Sequence, residues 1–114
     1  REKKEENMEK LAAALSLSKK AGKLVLGFDV VKEAVQNKKA ALVLLSEDIS
    51  PKTRKEVAFL CGKYSVCLAE LPFKLDEIWY LIGKRAGVIA VTDKGLSEKI
   101  ILAADEAKKQ TKAE

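Results

Sequence analysis

Lys19, Lys20, Lys23 and Lys32 bracket Gly27, a glycine that stands just before a run with helical spacing, Val31, Ala34 and Val35. That arrangement is chemistry for an anion. The first N–H groups of a helix have no acceptor inside it, and they lie at the positive end of the peptide dipole. A glycine at that position lets a second backbone come close. Residues 18–39 hold six lysines against Asp29 and Glu33, a surplus of four in a chain whose net charge is +5. Elsewhere the charges nearly cancel: residues 1–17 and 40–72 balance, and residues 73–114 carry eight bases against seven acids. Positive charge gathered in one segment is the footprint of a phosphate-backbone binder, and a basic face that merely aids solubility is its alternative.

Other chemistries are missing. The chain has no histidine, which removes the Ser–His and Cys–His nucleophile arrangements and the commonest general base. Neither a GxxxxGK[ST] phosphate loop nor a GxGxxG fingerprint occurs. The acidic pairs Glu47-Asp48, Asp76-Glu77 and Asp105-Glu106 read as solvated or first-turn helix charges rather than a metal-dependent nuclease centre. Cys61 and Cys67 lack a CxxC spacing and are expected as two buried thiols. No enzymatic activity, cofactor or metal is therefore expected. No apolar run reaches the roughly 20 residues that cross a bilayer, and a cytoplasmic protein without membrane contact is expected. The chain opens on Arg1 rather than Met, consistent with a start upstream or a trimmed one.

The elements that must position the lysines and Gly27 follow from periodicity. Met8, Leu11, Ala12 and Leu15 predict a helix over 8–18, stopped by Ala21-Gly22 with Lys19 and Lys20 in its last turn. Leu24-Val25-Leu26 reads as a strand, and Gly27 opens a second helix with Asp29 in its first turn. The run 41–46 (ALVLLS) is a strand covered on both faces. Ser50-Pro51 starts a third helix, serine as cap and proline at its first position, with Val57, Leu60, Cys61 and Tyr64 inward. A strand over 66–71, a helix over 74–83 and a strand over 87–92 follow. Ser97 caps or joins a last helix with the stripe Leu96, Ile100, Ala103, Ala104 and Ala107, and the tail from Lys108 is expected to fray. The order α-β-α-β-α-β-α-β-α predicts one α/β domain over 1–114, with a core at about 8–107. Its architecture is a three-layer α-β-α sandwich on a four-stranded sheet, mostly parallel or mixed.

The run LSLSKKAGKLVLGFDVVKEAVQNKKAALVLLSEDISPKTRKEV, followed by IGKRAGVIAVTDKG, resembles the ribosomal-protein superfamily that recognises kink-turns in RNA, and within it the small YlxQ-like bacterial members. The likeness covers roughly residues 8–102 and rests on the order and spacing of AGKLVLG, LVLLSEDISP and IGKRAG. It implies an α-β-α sandwich on which RNA docks where the second helix starts, between two neighbouring loops. The superfamily's second-helix motif is approximately G-x-N-E-x-x-K. Gly27 matches its glycine, whereas Asp29, Val30 and Glu33 stand in place of Asn, Glu and Lys. Asp accepts but cannot donate, and Glu in place of Lys reverses a phosphate contact. Lys32, one position earlier, partly substitutes for that lysine. Val30 is expected to be buried or partly buried in the helix.

By the same resemblance Glu47, Asp48 and Ile49 lean on the kink. Lys84, Arg85 and Ala86, in the glycine-bounded turn 83–87, pack against flipped-out nucleotides, with Arg85 best suited to stack or grip a phosphate. The expected function is binding of structured RNA, ribosomal or kink-turn, by a protein of the translation apparatus, with the ribosome or translation factors as further partners. Lys19, Lys20, Lys23 and Lys32 would contact phosphates and Gly27 would admit the backbone. The alternative is a protein-interaction module on the same fold, with Phe28 as an exposed anchor rather than a staple folded back on its helix.

Overall fold

A computed structural model describes residues 2–112, with side chains from 6 to 106. The chain runs α1 (Glu2–Lys20), β1 (Leu24–Leu26), α2 (Phe28–Gln36), β2 (Leu42–Leu45), α3 (Pro51–Tyr64), β3 (Cys67–Glu70), α4 (Leu75–Ile82), β4 (Val88–Val91) and α5 (Lys94–Lys112). Every predicted element is present in order. Two helices are longer than their apolar stripes: α1 begins at Glu2, and α5 continues to Lys112 where fraying from Lys108 was expected. The side chain of Ala107, assigned to the inner stripe of α5, lies outside the described residues.

The four strands form one sheet in the order β1-β4-β2-β3. β2 and β3 are parallel, but β4 runs antiparallel to both β1 and β2. The sheet is thus mixed, and the largely parallel form that strict alternation favours is confined to one strand pair. The reason is α4. It leaves the end of β3 and returns the chain to the same end of the sheet, so β4 must run back against its neighbours.

The strands of the middle are buried throughout and divide their side chains by the pleat. Leu42, Leu44, Ile89 and Val91 face a cluster with Leu11, Leu15, Ile78 and Ile100 from α1, α4 and α5. Val43, Leu45, Val88 and Ala90 face a second cluster with Val31, Val35, Val57 and Leu60 from α2 and α3. This is the three-layer sandwich the apolar runs predict.

Local signals set the helix ends. The Ser50 hydroxyl accepts from the Thr53 N–H at 3.2 Å, with Pro51 in the first turn as expected. α5 starts differently. The Asp93 carboxylate, not Ser97, is the cap, accepting from the Leu96 N–H at 2.8 Å. Ser97 lies inside the helix and donates its hydroxyl to the Asp93 carbonyl.

The cysteines also part company. Cys61 is buried on α3, but Cys67 is exposed on β3, an edge strand, so only one of the two thiols packs as a core residue. Burial pushes the Cys61 thiol up to about 11, with a smaller contribution from Cys67. Thiolate is the reactive form. At pH 8 the folded protein should therefore consume one equivalent of a thiol reagent quickly, at Cys67. A second equivalent should follow only on unfolding, as read by mass spectrometry of the labelled peptides.

Candidate nucleic-acid interface

Strand direction decides which loops meet. β1, β2 and β3 all end, and β4 begins, at one edge of the sheet, because Leu26 pairs with Ile89 and Leu45 with both Val88 and Glu70. This edge collects Gly27–Asp29, Ser46–Ser50, Leu71–Leu75 and Gly83–Gly87. It is called the Gly27 edge below.

Gly27 itself sits at φ 103° and ψ 146°, a conformation open to glycine and strained for other residues. Its N–H donates to the Val88 carbonyl at 3.0 Å, and its carbonyl accepts from Val31 at 2.9 Å. α2 is therefore fixed to the sheet through the residue that precedes it. No side chain caps it. The N–H groups of Phe28, Asp29 and Val30 are left facing outward, available to an anion.

The second loop is tied down on both sides. The Ser46 N–H donates to Gly87 at 2.9 Å and the Glu47 N–H to Phe73 at 2.8 Å. An Asp48 carboxylate oxygen accepts from the Leu75 N–H at 3.1 Å, which commits that oxygen to holding α4. Ile49 is half-buried on the α2–α3 cluster. A Cβ on Gly87 would come within 2.7 Å of the Ile49 Cδ1, so glycine there allows the two loops to touch. In the third loop Lys84 and Arg85 are exposed, and the Arg85 guanidinium lies 3.2 Å from the Asp76 carboxylate. Both partners are solvated, so the pair contributes little and can exchange for a phosphate.

Three expected contacts change. Ala86 is only 5% exposed and packs in the core, so its side chain cannot meet a ligand. Val30, expected to be buried or partly buried, is 53% exposed beside Asp29 at the open helix start. Phe28 is half-buried against the α2–α3 cluster rather than a free anchor, and with Lys32, Phe59 and Tyr64 it lines a shallow groove between these helices.

The largest change concerns the lysines. Lys19, Lys20 and Lys23 precede β1, and the Lys23 carbonyl accepts from the N–H of Thr92, just past the end of β4. They stand at the opposite edge of the sheet. The four residues from Lys23 to Gly27 rise about 13 Å along the strand direction. The lysines near Gly27 in sequence are thus separated from it in space, and of the four only Lys32 stays on α2. At the Gly27 edge itself Asp29, Glu47, Asp48, Asp76 and Glu77 offset Lys32, Lys52, Lys74, Lys84 and Arg85. The sequence offered one clue to this: a strand run as short as Leu24–Leu26 must still carry the chain across the sheet.

This sandwich, with three loops converging on an open helix start, is the architecture of a ribosomal-protein-like domain. Residues 9–102 match the model of the Ribosomal protein L7Ae/L30e/S12e/Gadd45 family, and the chain belongs to that family. It is similar to RNA-binding protein YlxQ of Bacillus subtilis (strain 168), 39% identical, with 76% of this chain and 87% of that one covered. RNA-binding protein YlxQ of Enterococcus faecium is 34% identical, covering 83% and 91%. Among solved structures, a protein of unknown function from Bacillus halodurans C superposes with a TM-score of 0.80 at 33% identity, covering 84% of this chain and 97% of its own. The Giardia lamblia 15.5kD RNA binding protein superposes at 0.72 with 13% identity, covering 91% and 89%, and so shares the fold. The YlxQ relatives and the Giardia protein are named as RNA-binding proteins and the family by its ribosomal members, not as enzymes.

Replacing Gly27 with Ala should test the strain directly. A Cβ there meets open space, so the cost is conformational. We expect a loss of about 1–3 kcal/mol in urea unfolding, with no change in the denaturant slope.

Proposed function

We propose that this chain binds structured RNA at the Gly27 edge, as an accessory protein of the translation apparatus. The observation that carries the reading is the convergence there of an uncapped helix start, a glycine at φ 103° and the solvated Arg85–Lys84 turn. A bent RNA strand passing over Gly27 would take hydrogen bonds from the N–H groups of Phe28, Asp29 and Val30. Ile49 offers a partly exposed apolar contact, and Arg85, released from Asp76, can stack on an extruded base or hold a phosphate. The names of the YlxQ relatives support RNA as the ligand, and the family's description supports a ribosomal connection.

Kink-turn specificity is the finer part of the proposal. Asp29 and Glu33 bring negative charge to a surface where the superfamily motif has Asn and Lys, so the site reads bent backbone more than base edges. A protein partner is the second reading. The exposed Val30, apolar among charges at the mouth of the site, favours it.

The test is a titration of a kinked internal-loop RNA and a straight duplex of equal length at 50–200 mM salt, on the order of the range where phosphate contacts dominate. Preference for the kinked RNA supports the proposal, and equal binding removes the shape-reading role of this edge. Lys84→Ala with Arg85→Ala should weaken the kinked complex about ten-fold or more, since hydrogen bonds from charged groups contribute roughly 1.5–3 kcal/mol each. Asp76→Asn should strengthen it a few-fold by freeing Arg85. Installing Asp29→Asn, Val30→Glu and Glu33→Lys together should raise selectivity for a kink-turn, and an unchanged ratio would show that this helix face does not meet the RNA.

A further inference from the structure

We infer that the opposite edge of the sheet is a second nucleic-acid contact, a phosphate-binding face built from Lys19, Lys20, Lys23, Lys38, Lys39 and Lys94. Three chain segments are stitched together there. The Lys23 carbonyl accepts from the Thr92 N–H at 2.9 Å and from its hydroxyl at 3.3 Å, and the Ala41 N–H donates to Val91 at 2.8 Å. The entries of β1 and β2 therefore flank the exit of β4, at neighbouring-strand spacings of about 5 Å. Lys19, Lys20 and Lys23 come from the first segment, Lys38 and Lys39 from the second, and Lys94 from the third. All six are exposed.

Acids do not offset them. Within the three segments the one carboxylate is Asp93, which already caps α5 through Leu96. Glu33, a turn before the end of α2, and Glu98, a turn into α5, are the next acids along the chain. Neither ion pair found among the described residues, Arg54–Glu70 or Arg85–Asp76, involves any of the six lysines.

Helix dipoles explain only part of the cluster. Lys19 and Lys20 end α1, and Lys38 and Lys39 follow α2, where cations are favoured. Lys23 enters a strand. Lys94 is the first residue of α5, at the positive end of its dipole, where a cation is disfavoured. A ligand phosphate accounts for both positions. Left-handed residues at Gly22 (φ 73°) and Lys38 (φ 60°) turn the chain from the ends of α1 and α2 toward the strands that follow.

The surplus charge of the molecule thus lies about one strand length from the Gly27 edge. A chain with a shape-reading edge and a separate charged edge can bridge two RNA segments, or two parts of one fold, and gain avidity from the pair. This inference does not require the Gly27 edge to bind anything.

A labelled straight 20-base-pair RNA duplex tests it, with the full chain and three variants. Lys20→Ala/Lys23→Ala/Lys39→Ala should weaken duplex binding at least about ten-fold and flatten the log–log salt slope by about 2–3. The corresponding Arg triple variant should retain both, which separates lost charge from lost structure. Lys10→Ala/Lys55→Ala, at exposed lysines outside both edges, should leave duplex binding intact. An Ala triple variant that binds the duplex like the parent, or a parent that does not bind it, overturns the inference. So does tighter binding of poly-glutamate than of duplex, which would assign this edge to an acidic protein. Duplex binding that persists while kinked RNA shows no preference sinks the preceding proposal and leaves this one standing.

Discussion

The constraint on which the rest depends is the direction of β4. It is a fully buried strand with hydrogen-bonded neighbours on both sides, and it runs against each of them. Reversing it would move Gly83–Gly87 to the far side of the sheet and leave Gly27 without the Val88 carbonyl. Because β4 takes this direction, four loops meet at one edge, and the entries of β1 and β2 flank the exit of β4 at the other. The separation of chemical roles in this molecule is a property of topology before it is a property of any side chain.

That topology also explains which parts of the protein were legible in the sequence. Helices announced themselves through stripes such as Met8, Leu11, Ala12 and Leu15, and through the Ser50-Pro51 start, because both signals are local. The continuous apolar run at 41–46 announced a strand covered on both faces, and 87–92 a further strand. Strand direction has no comparable local signal. It depends on where α4 delivers the chain, and alternation alone favours parallel pairing. Lys19, Lys20 and Lys23 lie away from Gly27 for the same reason: nearness along the chain is not nearness in space across a three-residue strand that spans the sheet.

At the Gly27 edge the legibility was uneven. Glycine at 27 was readable because its conformation is a property of the residue. Ala86 was not, since a small residue between Arg85 and Gly87 gives no sign that it turns inward to the core. Cys67 is a similar case. An edge strand exposes residues that the same pattern would bury in a central one, and edge or centre is again a matter of sheet order. Val30 shows the reverse, an apolar residue left outside because helical spacing turns Val31, Ala34 and Val35 inward and leaves position 30 off that face.

The hydrogen bond between Gly27 and Val88 has a further meaning for how this edge meets a ligand. The three outward N–H groups of α2 are held by the sheet in the free protein, so their ordering is settled during folding. A ligand arriving there has little protein entropy to remove, and binding can proceed with the backbone almost unmoved. An edge organised in this way selects among partners that already carry the matching bend, and penalises those that must be forced into it.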